Sequence, residues 1–441
     1  MTRIFIFGTT LIFSSTFLFG QDKNSLSLDN AIQQALKNRL DLKIQQINVQ
    51  VSDMQVKEVN SRNLPQISSD LDVRYNSELQ TNILPGIFFG QPNGDGKPVQ
   101  FGTTYNTLWA FNFNQILYNP VNSGDRQIAQ AQTRYNQFNV RKTEIDVKMD
   151  VTQAYFTALL WKEKTDLTKI NVDRTNNIYT TGKDQLSQAQ ITSYDLQHYR
   201  IDYENAFSEN EKNKKSLELS LTDLSYKMGD DTIKKYILSD DINHLYLQYM
   251  QATVANPELK RPELDMEKWQ LAIYQLNIKK QNLSYIPSIS FYGNYTFQYL
   301  DNDFSPFTSS YWYPFNYLGV KASIPIFDGL LKERSKSEYK LKSESSRLNY
   351  EKLKNDYQQE TRNSLTSLLN AQTDLDYQKK NLDLANDLYK IDSDRLKNGT
   401  IKPNDLATTY YTLQQTQTNY LNAVYNYLVG IVQYKKTVGL L

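Results

Sequence analysis

A chain of 441 residues has room for two or three ordinary domains, yet only 39% of it is hydrophobic and 32 residues are tyrosine, which argues against one large aliphatic core. The 49 Lys and Arg nearly cancel the 48 Asp and Glu, so the basic surplus of a nucleic-acid-binding protein is missing and nucleic acid is not expected as a partner. With no cysteine and only two histidines, His198 and His244, disulfide frameworks, thiolate metal sites and Cys/His nucleophile pairs are excluded.

Residues 1–20 carry one early cation, Arg3, followed by an apolar run from Ile4 to Phe19 that ends in Gly20 before polar Gln21. The run is short for a bilayer span and reads as a cleaved export signal, a membrane anchor being the alternative. No later apolar stretch approaches 18 residues, so any membrane span must be a β-barrel.

From Arg39 to Tyr75 the sequence aligns without a gap to Arg261 to Phe297, at a fixed offset of 222. Leu42, Val49 and Val56 correspond to Leu264, Leu271 and Ile278, and Ile44, Ile47, Val51 and Met54 to Met266, Trp269, Ile273 and Leu276. Two apolar heptad seams on one helix call for two helical neighbours, as in a closed ring of helices. The chain therefore divides into a first repeat at 21–228, a connecting segment at 229–260 and a second repeat at 261–441.

In each repeat the helix stops at a proline, Pro65 or Pro287, and an alternating strand begins. Ile67, Leu71, Val73 and Tyr75 alternate with Ser68, Asp70, Asp72, Arg74 and Asn76; Ile289, Phe291, Tyr295, Phe297 and Tyr299 alternate with Ser288, Ser290, Asn294, Thr296 and Gln298. An aromatic face suits lipid, and the polar face would line a lumen. A Gly- and Pro-rich loop at 82–103 separates the first strand from Tyr105, Thr107, Trp109, Phe111 and Phe113, giving a β-hairpin at about 66–117 and its counterpart at about 288–327. In the second hairpin Tyr313, Phe315 and Tyr317 give way to Val320, Ala322 and Ile324, a change of parity beside Gly319 that predicts a β-bulge.

Long polar helical stretches follow, roughly 121–188 and 330–398, each on the order of 100 Å if unbroken. They break at matching sites: residues 178–196 align with 388–406 at offset 210, and a returning helix follows in each repeat. Gly399 and its counterpart Ala189 mark the tip turns, positions 192 and 402 the next N-caps, and Asp195 and Asp405 the third helical residues, where a carboxylate reaches back to the cap. Capping alone accounts for the two aspartates; in a ring of chains the same turns would also narrow one end of a tunnel, with Asp195, Asp405, Tyr194, Asn404 and Thr408 as candidate entrance residues.

Four strands per chain cannot close a membrane barrel, which begins at eight. Two copies would be tight and three would give twelve strands, so a homotrimer is expected. The opening LSLDNAIQQALKNRLDL, the LPQI and IPSI junctions, IPIFDG, NGTIKPNDL and the closing YLNAVYNYLVGIVQYKKTVGL together resemble the TolC-like outer-membrane efflux proteins over essentially the whole mature chain. The resemblance implies a mostly α fold with a transmembrane β-barrel portion: a trimeric 12-stranded barrel in outer-membrane lipid, continuous with a 12-helix periplasmic tunnel. It further implies a passive exit duct of a Gram-negative bacterium, working with a periplasmic adaptor and an inner-membrane pump of the RND or ABC type, with residues 229–260 as an equatorial belt. Asp405 matches one acidic position of the family's entrance turn, whereas Thr408 stands where a second acid is often found, which puts a paired-aspartate ring in doubt.

A structural coiled-coil protein of the envelope would explain the polar helices but not the aromatic strand pairs. An envelope hydrolase would need a retuned carboxylate or a Gly-rich nucleophile or phosphate motif, and the sequence offers no catalytic, metal or cofactor site.

Overall fold

The computed structural model describes residues 25–90, 93–230, 236–251, 260–307, 311–401 and 403–441; the export signal read at 1–20 lies outside the described residues. In chain order the elements are β1 (Ser25–Leu26), α1 (Leu28–Asn38), α2 (Leu40–Ser61), β2 (Gln66–Tyr75), β3 (Thr81–Leu84), β4 (Lys97–Gln100), β5 (Tyr105–Tyr118) and α3 (Pro120–Ser187). Then come α4 (Ser193–Lys227), β6 (Ile237–Leu238), α5 (Ile242–Gln251), α6 (Pro262–Leu283), β7 (Ser288–Asp301), β8 (Trp312–Ser323), α7 (Leu331–Lys397) and α8 (Pro403–Thr437). Helix dominates, and no helix among the described residues is long and apolar enough to cross a membrane.

These elements form two compact units, each assembled from segments distant in sequence. One comprises residues 1–42, 144–260 and 360–441 and holds the buried core. There Tyr155, Phe156, Leu159, Leu224, Leu428 and Val432 share one buried cluster with Ala31 and Ala35 of α1. Ser27 caps α1 through the amide of Asn30, and the Asp240 carboxylate accepts 2.8 Å bonds from the Leu28 amide and the Tyr155 hydroxyl. Burial beside that carboxylate drives the Tyr155 phenol pKa up, so the hydroxyl stays a donor. A two-residue parallel pairing of β1 with β6 ties the start of the chain to the connecting segment, a link with no periodicity for sequence reading to find.

The other unit comprises residues 43–143 and 261–359 and holds one antiparallel sheet in the order β2-β5-β7-β8. Both helix-to-strand junctions are built alike. The amides of Leu64 and Ile286 close the last turns onto Ser61 and Leu283, and Pro65 and Pro287 then force an extended chain because proline has no N–H and its ring disfavours a helical residue before it. The loop read at 82–103 carries structure of its own: β3 and β4 pair from Thr81↔Gln100 to Leu84↔Lys97 and enclose a 3₁₀ turn at Gly86–Phe89.

The bulge expected at Gly319 is absent. Strands β7 and β8 pair without a shift from Ser288↔Ser323 to Tyr299↔Trp312, and the sheet's irregularity lies instead between Ile116 and Tyr118 of β5. Gly319 serves a neighbour: a Cβ there would sit 2.8 Å from the Tyr292 ring, so the missing side chain makes room for that ring. Tyr313, Phe315 and Tyr317 consequently lie on the opposite face from Val320 and Ala322.

Candidate functional site

The sheet separates two chemistries. On one face Trp109 lies 5.2 Å from Phe111 and 6.2 Å from Phe297 between ring centroids, Phe113 lies 5.7 Å from Phe291, and Tyr299 lies 5.6 Å from Trp312. Leu71, Val73, Trp109, Phe297 and Trp312, with Phe304, Pro306 and Phe307 of the following loop, enclose an apolar cleft of about 530 Å³. The loop is held down by the Tyr299 hydroxyl, which donates to the Asp303 carbonyl at 2.6 Å, and by the Trp312 indole, which donates to the Pro306 carbonyl at 2.7 Å.

On the other face polar side chains join across strands. The Asn112 amide donates to Asp70 at 2.7 Å, Asn294 donates to Asn112 at 2.8 Å, Thr296 donates to Asn294 at 2.7 Å, and Gln298 donates to Asn106 at 3.1 Å. Such a network is stable in contact with water, whereas the aromatic face exposes Ile67 at 75%, Leu318 at 76% and Val320 at 66%, far more apolar surface than a soluble sheet leaves open. Among the described residues β2 and β8 are both edges, each with one free row of backbone groups.

The two tip turns share one backbone solution. At Gly399 (φ 69°) the amide bonds the Leu396 carbonyl at 2.9 Å while the Thr400 amide reaches Arg395 at 2.9 Å; at Ala189 (φ 56°) the amide bonds Leu186 at 3.0 Å while Gln190 reaches Gln185 at 2.9 Å. Both are helix ends closed by a left-handed residue. Thr192 then caps α4: the Asp195 amide donates to the Thr192 hydroxyl at 3.2 Å, and the Asp195 carboxylate accepts from the Thr192 amide at 3.0 Å and hydroxyl at 2.7 Å. Those bonds from Thr192 hold the Asp195 carboxyl below the usual carboxylate range.

Tyr194 is exposed, its ring edge-on to His198 at 4.6 Å. Asp405 and Thr408 are exposed in the first turns of α8, where their carbonyls accept from Thr409 and Thr412. Lys402 and the side chain of Asn404 lie outside the described residues. One cluster near these turns gives no signal in the sequence. The Thr409 hydroxyl donates to nearly buried Asp392 at 2.6 Å, Arg395 pairs with the same carboxylate at 3.2 Å, and the Arg174 guanidinium stacks 3.7 Å from the Tyr410 ring centroid, joining α3 to α8.

A two-faced antiparallel sheet with open edges, whose strands β5 and β8 are followed in the chain by the very long polar helices α3 and α7, is the fold of an outer-membrane channel chain. The chain belongs to the outer membrane efflux protein family, whose model matches residues 31–229 and 257–438. Members of this family are non-enzymatic transport conduits. No curated protein matches the chain by sequence. Among solved structures it is similar to the channel CusC (TM-score 0.72, 16% identity, covering 93% of this chain and 91% of that one). It is also similar to the Campylobacter jejuni CmeC outer membrane channel (0.71, 17%, 93% and 85%) and to the open state of the Neisseria gonorrhoeae MtrE outer membrane channel (0.69, 14%, 93% and 88%). At these identities the likeness shows a shared fold.

Proposed function

We propose that three copies of this chain join β8 of one to β2 of the next, closing a 12-stranded barrel in the outer membrane of a Gram-negative bacterium. The barrel continues into a 12-helix periplasmic tunnel. The carrying observation is the sheet with one aromatic face, one hydrogen-bonded polar face and two unpaired edges. Closure satisfies the edge groups that lipid cannot, and it turns the polar face into a water-filled wall. In this reading the chain is a duplicated unit, 21–228 and 261–441, about an equatorial segment at 229–260, with 1–20 removed on export.

The duct is the passive exit of a tripartite system: an inner-membrane pump of the RND or ABC type delivers substrate through a periplasmic adaptor, and no cofactor takes part. The tip turns at Ala189 and Gly399 form the entrance, with Asp195, Asp405, Tyr194, Asn404 and Thr408 around it. Adaptor contact biases their helix pairs between closed and open packings.

Planar-bilayer recording tests both levels. The wild-type protein should form detergent-soluble trimers that conduct, and Asp195→Ala with Asp405→Ala should keep the trimer while changing conductance or cation preference. A wild-type protein without conductance would overturn the duct reading, and mutant channels identical to wild type would overturn the entrance assignment alone.

A further inference from the structure

The polar face is not uniformly polar. Tyr313, Phe315 and Tyr317 stand opposite Gln298, Thr296 and Asn294, and they expose 52%, 44% and 50% of their surface. Alternate residues of a strand rise about 7 Å apart, so the three rings form a row. Tyr292 extends it: its ring occupies the space above Gly319 and lies 6.0 Å from the Tyr317 ring. The next residue on this face is Lys321, opposite Ser290.

Charge distinguishes the end of this row from the rest of the face. Asp70 accepts from Asn112 and Asp72 is paired with Arg74, whereas the Lys321 ammonium has no ion pair or hydrogen bond among the described residues. A neutral row of π-faces therefore ends in one uncommitted cation. Apolar rings held in water are costly unless something covers them, and aromatic rings offer stacking to any flat solute.

We propose that Tyr313, Phe315, Tyr317 and Tyr292, ending at Lys321, form a binding site in the conduit wall for aromatic anions, meaning carboxylates or sulfonates on one or two fused rings. The ring stacks on the row and the acid group meets the Lys321 ammonium. An aliphatic anion satisfies only the lysine, and a neutral aromatic satisfies only the rings. The site gives the exit duct a preference of its own, separate from that of the pump. It rests on the polar face being the lumen wall.

Single-channel recording on the full-length protein in planar bilayers tests the site, with 1-naphthalenesulfonate as probe and 1-naphthol and hexanesulfonate as controls. The chain has no cysteine, so Phe315→Cys gives one reactive position, and a charged thiol reagent should change its current. Naphthalenesulfonate should produce saturable blocks in the wild type. Lys321→Gln should weaken these about fivefold or more without affecting naphthol, and Phe315→Ser with Tyr317→Ser should weaken both aromatics about fivefold or more. Hexanesulfonate should block only at far higher concentration.

Equal block by hexanesulfonate, or unchanged block in both variants, overturns the site while leaving the duct intact. So does a conducting Phe315→Cys channel that ignores the thiol reagent. A lowered melting temperature in Lys321→Gln with unchanged block also overturns it, by making the lysine a partner of the neighbouring copy's acidic strand. Absence of any wild-type current condemns the duct reading itself.

Discussion

Ala189 sits where glycine belongs. Its φ of 56° places a Cβ in the left-handed region, while Gly399 meets the same requirement at 69° without one. The two turns otherwise make the same pair of hydrogen bonds, so each is a control for the other. Ala189→Gly should stabilise its hairpin by about 1 kcal/mol and Gly399→Ala should cost a similar amount, both read as shifts in thermal midpoint. Beside this turn Asp195 carries a pH signature. Its carboxyl lies below the ordinary 3.8 because Thr192 bonds the ionised form, so its contribution is fully present above that value and is lost as pH falls through the lower folded one. The melting difference between wild type and Asp195→Asn should be constant from about pH 5 to 8 and shrink below about pH 4. A difference independent of pH would mean that the capping box does not form in solution.

At the scale of elements, α2 has one covered apolar seam and one open one. Leu42 and Val59 are buried and Val49 and Val56 half-buried, whereas Ile44, Ile47, Val51 and Met54 on the second seam remain 49–55% exposed. In α6 the corresponding Met266, Trp269 and Leu276 are half-buried and Ile273 is buried. The proposed trimer would cover the open seam of α2 with a second copy, in which case Val51→Asp should yield monomers in detergent by sedimentation while helix content persists. Trimers of unchanged stability would place the copy contact elsewhere. The first seam of α2 was legible because heptad spacing is a local signal, as were Pro65 and Pro287, whose backbone effects need no partner. The face of Tyr313, Phe315 and Tyr317 was not legible. A change of parity in sequence fits either a bulge or a strand with aromatics on both sides, and only the pairing of Gly319 with Tyr292 decides between them. Nor was the Asp392–Thr409 bond legible, since two helices must first fold back on each other to bring those residues together.

At the scale of the whole molecule, the deciding question is whether the sheet edges find partners. Inside one chain, β2 pairs only with β5 and β8 only with β7, so half the backbone groups of each edge strand point away from the sheet. In hydrocarbon each such group left unsatisfied costs several kcal/mol, a sum that no side-chain contact in the sheet offsets. In the proposed trimer, pairing β8 with the β2 of a neighbour would remove this cost for every copy at once, which would make assembly and membrane insertion one event rather than two. Hydrogen exchange reads this directly. Peptides covering residues 66–75 and 312–323 should exchange slowly in the assembled wild type and quickly in the monomeric Val51→Asp protein, while residues 105–118, paired on both sides within the chain, should differ less. Equal exchange of the edge peptides in the two proteins would show that the edges stay open after assembly, and closure between copies would then fail as the account of how this sheet tolerates lipid.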